Sequence, residues 1–143
     1  MNILIIYGPN LNLLGLKSAK LGTRITLDKI NKTLRKTTRN KNVCLKIFQS
    51  NEVGKVINFI QKNRKWANGI LISPSSWCLN QFDLLETLQI CNIPTIEVYL
   101  NKEYYKDEFY TSSILSNLCI NTFIGDPIEV FSNALKEILN LKK

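Results

Sequence analysis

The sequence predicts an α/β fold, a three-layer sandwich in which helices cover both faces of a five-stranded parallel sheet. Short apolar runs alternate with segments of helical periodicity along the 143 residues. Several of these runs stop at Gly-Pro, Ser-Pro or Gly-Asp-Pro, which are turn and helix-start signals. Because strands alternating with helices form a covered parallel sheet, we expect the flavodoxin-like strand order 2-1-3-4-5. The lack of an internal repeat or linker predicts a single domain over residues 1–143.

The first half of the chain alternates strand and helix twice. The predicted strands are Asn2–Ile6, a β-branched and leucine run, and Asn42–Phe48, which alternates in polarity. Two helices follow from apolar residues at helical spacing: Leu27, Ile30 and Leu34 in the first, and Val53, Val56, Ile57 and Ile60 in the second. Thr26 is a candidate N-cap for the first helix, and Ser50 or Asn51 for the second.

The second half continues the alternation. Three further strands are predicted: Gly69–Ile72, Pro94–Val98 and Leu118–Ile124. Two helices are predicted: Leu79–Cys91 with Phe82, Leu85 and Leu88 inward, and a last helix with Ile128, Phe131, Leu135 and Ile138 buried. Asp126 is expected to cap the last helix, with Pro127 in its first turn. The polar and aromatic stretch Tyr99–Ser116 is too long for an ordinary connection and predicts a functional segment.

Composition limits the kinds of partner. The net charge of +8 raises the hypothesis of a nucleic acid or another anionic partner. Nucleic acid is nevertheless not expected, because the lysines are spread along the chain, with a mild cluster from Lys29 to Lys46, and no aromatic-interleaved basic stripe appears. No apolar run approaches the ~20 residues of a membrane span, and the first run lacks a signal-peptide cleavage site. We therefore expect a cytoplasmic protein without membrane association.

The chain has no histidine, so proton chemistry would need Tyr, Lys, Asp, Glu or Cys with a shifted pKa. The cysteines form no C-x-x-C pair and are expected to be reduced thiols: Cys44, Cys78, Cys91 and Cys119. Without histidine or paired cysteines, no metal site is expected. Cys78 is either a nucleophile or an inert thiol, and the lack of a basic partner nearby in sequence favours the inert thiol.

A ligand site is expected beyond the carboxyl ends of the strands, where open parallel sheets bind ligands. Four segments lie at those ends: Gly8–Arg24, Gln49–Glu52, Ser73–Leu79 and Tyr99–Tyr110. They and their surroundings carry recognisable motifs: GPNLNLLG at 8–15, FQSN at 48–51, ISP at 72–74, IPTIEV at 93–98, and Phe109 followed by SILS at 113–116. In this order and spacing the motifs resemble type II 3-dehydroquinate dehydratase, from Ile3 to about Leu139.

The resemblance implies a flavodoxin-like fold, trimers that assemble into a dodecamer, and no metal or cofactor. It also implies removal of water from 3-dehydroquinate to give 3-dehydroshikimate, a step of the shikimate pathway in aromatic amino acid biosynthesis. In this family a tyrosinate, activated by an arginine, removes a proton next to the ketone. An asparagine-held water stabilises the enolate, and a histidine protonates the departing hydroxyl.

Carried over position by position, the resemblance retains one catalytic residue and changes the others. Asn10 matches the asparagine on the enolate side. The arginine falls on Lys17, the tyrosine base on Leu21 or Gly22, and the histidine acid on Tyr99. Losing an acid or a base each costs ~10²–10⁴ in rate, so the resemblance implies impaired turnover.

The substrate-binding positions are also substituted. The asparagine before proline falls on Ser73, a second histidine on Leu79, the aspartate of the next helix on Glu86, and an arginine on Tyr110. The backbone amides that bind the substrate carboxylate map to Leu100 and Asn101. Because these are backbone groups, substitution of their side chains leaves them in place.

Several of these residues have two interpretations. Tyr99 is either a substitute proton donor or an aromatic that fills the vacated pocket, and the filler is preferred because a phenol with pKa ~10 is a poor acid near neutrality. Lys17 either binds a carboxylate or is a solvated loop residue. Tyr7, at the end of the first strand, is either a substitute base or, as we prefer, a packing aromatic.

Three hypotheses for function follow. The first is a divergent 3-dehydroquinate dehydratase with impaired activity, and the second is a catalytically inactive relative that serves as a ligand-binding or structural oligomer. The third, based only on charge, is a nucleic-acid or anion binder.

Overall fold

A computed structural model describes residues 1–105 and 109–141 of the chain. Its sheet has five strands, all paired in parallel, in the order β2-β1-β3-β4-β5, which confirms the predicted architecture and strand order. The strands are β1 (Asn2–Tyr7), β2 (Cys44–Gln49), β3 (Gly69–Ser73), β4 (Thr95–Leu100) and β5 (Asn121–Gly125). Strand β1 lies between β2 and β3, and it pairs Tyr7 with Gln49 on one side and with Ser73 on the other.

In the described part of the chain, five α-helices surround the sheet: α1 (Leu14–Lys20), α2 (Leu27–Thr38), α3 (Val53–Lys62), α4 (Phe82–Cys91) and α5 (Pro127–Leu139). Helices α2 and α5 cover one face of the sheet, and α3 and α4 cover the other. Short 3₁₀ turns connect some elements: Leu11–Leu13, Ser75–Leu79, Lys102–Tyr104 and Phe109–Ser112. The central strands β1, β3 and β4 are buried on both faces, as parallel strands between helix layers must be.

The helix starts follow the predicted caps only in part. The Thr26 hydroxyl accepts a hydrogen bond from the Lys29 backbone N–H at 3.2 Å, so this cap is confirmed. Asp126 occupies the N-cap position of α5 as predicted, but its carboxylate accepts from the Asn101 side chain instead of capping the helix. At α3 the N-cap is Glu52, and Ser50 accepts a hydrogen bond from its backbone N–H at 2.9 Å.

The predicted inward face of α4 is partly wrong. Leu88 is buried as expected, but Phe82 is 64% exposed and Leu84 takes the core position. The reason lies in the helical spacing itself, because Leu84, Thr87 and Leu88 share one face of α4, whereas Phe82 lies on the opposite face. The helix also begins at Phe82 rather than Leu79, after a 3₁₀ turn over Ser75–Leu79.

Helix α1 lies where the sequence predicts a loop. Leu14 and Ser18 are buried, and the Ser18 hydroxyl donates to the Ile25 carbonyl at 2.8 Å and accepts from the Ile25 N–H at 3.0 Å. These two hydrogen bonds hold the segment between α1 and α2 against the side of α1. The short helix is therefore stabilised by contacts with the segment that follows it, which its own sequence does not indicate.

The long stretch 99–116 also differs from its prediction. Strand β4 continues through Tyr99 to Leu100, so both residues lie in the sheet. Two short 3₁₀ turns follow, and residues 106–108 lie outside the described residues. Within the described ranges, no helix combines the length and the apolar character that a membrane crossing requires.

Candidate active site

The carboxyl ends of β1, β3 and β4 meet helix α1 around a cavity of about 410 Å³. We call it the Asn10 cavity, and its lining residues are Asn10, Leu13, Leu16, Lys17, Lys20, Ser75, Ser76 and Tyr105. An adjoining cavity of about 420 Å³ shares Lys17, Lys20 and Tyr105 with it and is also lined by Leu21. The lining of the Asn10 cavity includes two lysines and no carboxylate, so its charge favours an anionic ligand.

The turn after β1 approaches the turn after β3 so closely that only glycine fits at position 8. The Gly8 N–H donates to the Ser73 carbonyl at 2.8 Å. A Cβ at Gly8 would lie 2.5 Å from the Pro74 carbonyl oxygen, far inside van der Waals contact. The Gly-Pro-Asn motif therefore has a structural reason, because it joins two loops of the site through their backbones.

Asn10 is held in a left-handed turn by the second motif segment. Its φ angle is 70°, a conformation that asparagine tolerates better than most residues. Its backbone N–H donates to Asn51 Oδ1 at 3.0 Å, while Gln49 Nε2 donates to the Gly8 carbonyl at 3.1 Å. In the described part of the chain its side-chain amide makes no hydrogen bond, and it lines the cavity. The two most specific motifs thus meet at one turn, which presents a free amide to the cavity.

Lys17 lies on α1 and reaches across to the loop after β4. Its Nζ donates to the Tyr104 carbonyl at 2.8 Å and lies 4.8 Å from the centre of the Tyr105 ring. Partial burial lowers the pKa of its ammonium group. The position that the resemblance gives to an arginine therefore carries a cation that borders the cavity and joins α1 to the loop after β4.

Tyr99 is buried, and its hydroxyl is directed at Glu97. It donates to Glu97 Oε2 at 2.7 Å and lies 3.2 Å from the Ser113 hydroxyl. Burial, followed by the neighbouring Glu97 carboxylate, raises the pKa of Tyr99 strongly. Since the phenol proton is directed at Glu97 and Tyr99 does not line the Asn10 cavity, this geometry fits the interpretation as an aromatic filler.

Glu97 is the centre of a buried polar cluster that the residue-by-residue prediction did not single out. Its two carboxylate oxygens accept hydrogen bonds from four hydroxyl groups, those of Tyr99, Ser113, Ser116 and Thr122. It is fully buried in β4. The available signal was a carboxylate in the middle of an apolar strand, because such a group needs hydrogen-bond partners.

An aromatic cluster occupies the space next to this carboxylate. Tyr110 stacks on Tyr99 with ring centres 5.3 Å apart, and Tyr105 packs against Tyr110 at 5.9 Å. Cys78 is buried in the same cluster, and burial raises the pKa of its thiol, which fits the interpretation as an inert thiol. Tyr110, predicted at a substrate-binding position, is thus packed inside the protein rather than along the Asn10 cavity.

Tyr7 is bonded to helix α2 and does not line the Asn10 cavity. Its hydroxyl donates to Asn31 Oδ1 on α2 at 2.7 Å, and burial raises the pKa of the phenol far above its ordinary value. Its ring packs edge-on against Phe131 at 5.3 Å. These contacts fit the interpretation of Tyr7 as a packing aromatic.

The remaining predicted residues lie around the cavity or away from it. Ser73 is buried at the end of β3, and within the described residues its hydroxyl has no hydrogen-bond partner. Leu100 is buried, and the backbone N–H of Asn101 donates to the Gly125 carbonyl at 2.9 Å. A substrate carboxylate at the Asn101 amide would therefore have to displace this bond.

Glu86 is not brought to the Asn10 cavity within one chain. It is exposed on α4 and lines a different cavity of about 360 Å³ between α3 and α4, together with Arg64 and Ile90. For metals, residues 1–105 and 109–141 contain no group of three or more His, Cys, Asp or Glu placed to hold an ion.

Known proteins resemble this chain in sequence over nearly its whole length. A profile of the family described as "Dehydroquinase class II" matches residues 1–139. The 3-dehydroquinate dehydratase of Clostridium botulinum (strain 657 / Type Ba4) is 34% identical over 139 residues, which cover 97% of this chain and 95% of that protein. That of Halothermothrix orenii is 31% identical over 141 residues, covering 99% of this chain and 95% of that protein.

A solved structure agrees with the same grouping. The type II dehydroquinase of Butyrivibrio crossotus superposes with a TM-score of 0.88 at 25% sequence identity. The match covers 98% of each chain.

Proposed function

The chain belongs to the class II dehydroquinase family, and we propose that it is a divergent member that binds 3-dehydroquinate in the Asn10 cavity but dehydrates it slowly. The observation that carries this proposal is the hydrogen bond from the Tyr99 hydroxyl to Glu97. A buried phenol with a raised pKa, directed at a carboxylate, is a poor donor for the departing hydroxyl.

Binding is supported by the chemistry of the cavity lining. The ammonium groups of Lys17 and Lys20 offer charge for the carboxylate of the substrate, and the hydroxyls of Ser75 and Ser76 offer hydrogen bonds to its alcohol groups. The free amide of Asn10 lines the same cavity, which supports a role in holding an enolate oxygen or a water next to it. These contacts support binding of the substrate, and none of them requires that the substrate is then dehydrated.

The chemical step lacks a base. Dehydration requires removal of a proton next to the ketone, followed by cleavage of the C–O bond and protonation of the hydroxide that leaves as water. The base of the family falls on Leu21 or Gly22, which are exposed just after α1 and have no group that accepts a proton. Leu21 lines the cavity that adjoins the Asn10 cavity. The side chain at the position of the family's base therefore borders the candidate site but has no group that could remove a proton.

Losing both the base and the acid reduces the rate by ~10²–10⁴ for each group. Lys17 does not compensate for the arginine, because an ammonium lacks the planar fork of a guanidinium and is already bonded to the Tyr104 carbonyl.

The second candidate function is a ligand-binding relative without any turnover. It is favoured by the aromatic cluster of Tyr99, Tyr105 and Tyr110, which fills space beside the cavity.

The test measures binding and turnover separately. Calorimetric titration with 3-dehydroquinate measures binding, and Lys17→Ala is expected to weaken it. Ultraviolet absorbance of the conjugated enone product measures turnover at high protein concentration. We expect a slow rate above buffer, and a rate within the ordinary enzyme range of ~1–10³ s⁻¹ would overturn the impairment. Binding without any rate would select the ligand-binding relative, and no binding would overturn both candidates.

A rescue experiment connects the slow rate to the substituted positions. The double variant Leu21→Tyr with Tyr99→His supplies a base and an acid where the family has them. We expect its rate to exceed that of the natural chain by about tenfold or more. The matched control is Leu21→Phe with Tyr99→Phe, which supplies similar rings without proton transfer and should give no gain. An equal gain in both variants would show that ring shape and not proton transfer limits the rate.

We also propose self-association into trimers and dodecamers, as the family resemblance implies. Large apolar side chains are exposed on and near α4 and on β5, including Leu79, Phe82, Ile90 and Ile124. Such side chains favour burial against another copy. The molar mass from light scattering should correspond to three or twelve chains, and a monomer at working concentration would contradict this.

A further inference from the structure

Charge is distributed unevenly between the two halves of the chain. Residues 1–66 contain 14 of the 19 Lys and Arg residues but only 2 of the 11 acidic ones, a net charge of +12. Residues 67–143 contain 5 basic and 9 acidic residues, a net charge of −4. An overall bias towards lysine would raise the number of basic residues, but it does not explain why residues 1–66 contain so few acidic ones. The asymmetry therefore calls for a structural explanation.

The fold places the positively charged and the negatively charged half of the sequence in different parts of the molecule. Because the strand order is β2-β1-β3-β4-β5, the elements of residues 1–66 form one lateral half of the molecule, next to the β2 edge. Helices α2 and α3 flank that edge on opposite faces of the sheet. The basic half and the acidic half thus lie at opposite ends of the sheet.

Helix α2 carries a row of cations on its outer face. Ile30, Leu34 and Thr38 are buried towards the sheet, which leaves the basic positions on the opposite side. All of these are exposed: Lys29, Lys32, Arg35, Lys36 and Arg39. From position 29 to position 39 the row extends over about 15 Å of helix, at 1.5 Å per residue.

More cations continue the row across β2 to α3. They are exposed as well: Lys41, Lys46, Lys62, Arg64 and Lys65. Lys46 is fixed by its neighbours, since its Nζ donates to Asn63 Oδ1 at 2.9 Å and lies 4.2 Å from the Trp66 ring centre. We call these five cations, together with the five of α2, the basic end.

The basic end lacks the features of a membrane or protein interface. Across the described ranges, the salt bridges are Lys32–Asp28 and Lys55–Glu52, so nearly all of its charge is uncompensated. The large exposed apolar side chains lie outside residues 27–66, whereas membrane-surface helices and stable protein interfaces need apolar anchors. Interfaces with nucleic acids are instead polar and strongly positive.

We propose that the basic end binds the phosphate backbone of nucleic acid, without sequence preference. The spread of lysines along the sequence argued against this partner, but the fold gathers them on neighbouring surfaces. None of the ten residues of the basic end lines the Asn10 cavity. The inference therefore does not depend on the proposed enzymatic function, and either can fail alone.

The experiment is a titration of a short fluorescein-labelled oligonucleotide, single-stranded or duplex, monitored by fluorescence anisotropy. Salt is varied from about 50 mM to about 200 mM, because each phosphate contact adds about one unit to the slope of log K against log salt. The variant is Lys36→Gln with Arg39→Gln. We expect its affinity to fall by about tenfold or more and its salt slope to decrease by about two.

The matched control removes two positive charges from the other half, Lys102→Gln with Lys136→Gln. It has the same net charge as the test variant, so it should bind within about twofold of the natural chain if the basic end is the site. Equal weakening by both variants would overturn the proposal in favour of a general net-charge effect. No binding to either oligonucleotide at low salt would also overturn it, as would tighter binding to phosphatidylserine vesicles than to both oligonucleotides.

Discussion

Replacing Tyr99 by phenylalanine should destabilise the protein while leaving any turnover unchanged. The substitution removes one hydroxyl and keeps the ring that stacks on Tyr110 at 5.3 Å. It therefore deletes the 2.7 Å hydrogen bond to Glu97 without creating a large cavity. In our interpretation this hydroxyl satisfies a buried carboxylate and does not donate its proton to a leaving group.

The magnitude follows from the environment of the lost bond. A hydrogen bond to a charged group contributes about 1.5–3 kcal/mol to stability. Three hydroxyl donors to Glu97 remain, those of Ser113, Ser116 and Thr122, so the carboxylate is not left without partners. We therefore expect a loss of about 2 kcal/mol in the free energy of unfolding, or a decrease in Tm of about 4–8 °C for a chain of this size.

Urea and thermal unfolding, monitored by circular dichroism at one fixed protein concentration, measure this loss. The matched control is Tyr104→Phe, because within the described residues the Tyr104 hydroxyl has no hydrogen bond, and it should change stability by less than about 0.5 kcal/mol. Unchanged stability of Tyr99→Phe together with a lost rate of enone formation would refute the reasoning. It would identify Tyr99 as a proton donor instead.

Two further predictions concern backbone proximity and pH. Gly8→Ala should destabilise by about 1–3 kcal/mol, because its Cβ would lie 2.5 Å from the Pro74 carbonyl oxygen, whereas Gly54→Ala on α3 has open space and should stabilise by about 0.4–1 kcal/mol in the same urea experiment. Equal effects of the two changes would contradict the close approach. Burial raises the pKa of Tyr105 to about 12, so between about pH 10 and pH 12 the unfolded chain loses this proton first and stability falls as pH rises. Tyr105→Phe should make urea unfolding less dependent on pH in this range, and an unchanged dependence would be evidence against a raised pKa.

The strands and most helices could be predicted from local patterns. A buried parallel strand is an apolar run, as in Asn2–Tyr7, and Thr26 caps α2 through atoms three residues apart. Helix α1 could not be predicted, because it depends on hydrogen bonds from Ser18 to a residue seven positions later. The face of α4 was misjudged because two apolar stripes compete on one helix: the core takes Leu84 and Leu88, and Phe82 lies on the opposite face.

The candidate site divides in the same way. Motif spacing located Asn10 and Lys17, and both line the same cavity. It did not reveal that Gln49 and Asn51 hold the Asn10 turn, or that Glu97 collects four hydroxyls from β4, β5 and the preceding loop. These contacts join residues up to 41 positions apart, so no local pattern indicates them.

By itself, the sequence determined the family, the alternation that produces a 2-1-3-4-5 sheet, and the absence of histidine, because these depend on residue identity and short-range periodicity. Only the tertiary structure decided that the Tyr99 hydroxyl faces Glu97 and that the elements carrying the cations of residues 29–65 lie next to the β2 edge. The physical reason is that burial and clustering depend on which distant segments are packed together. A tyrosine whose hydroxyl faces water and a tyrosine whose hydroxyl bonds a buried carboxylate are the same residue in the sequence.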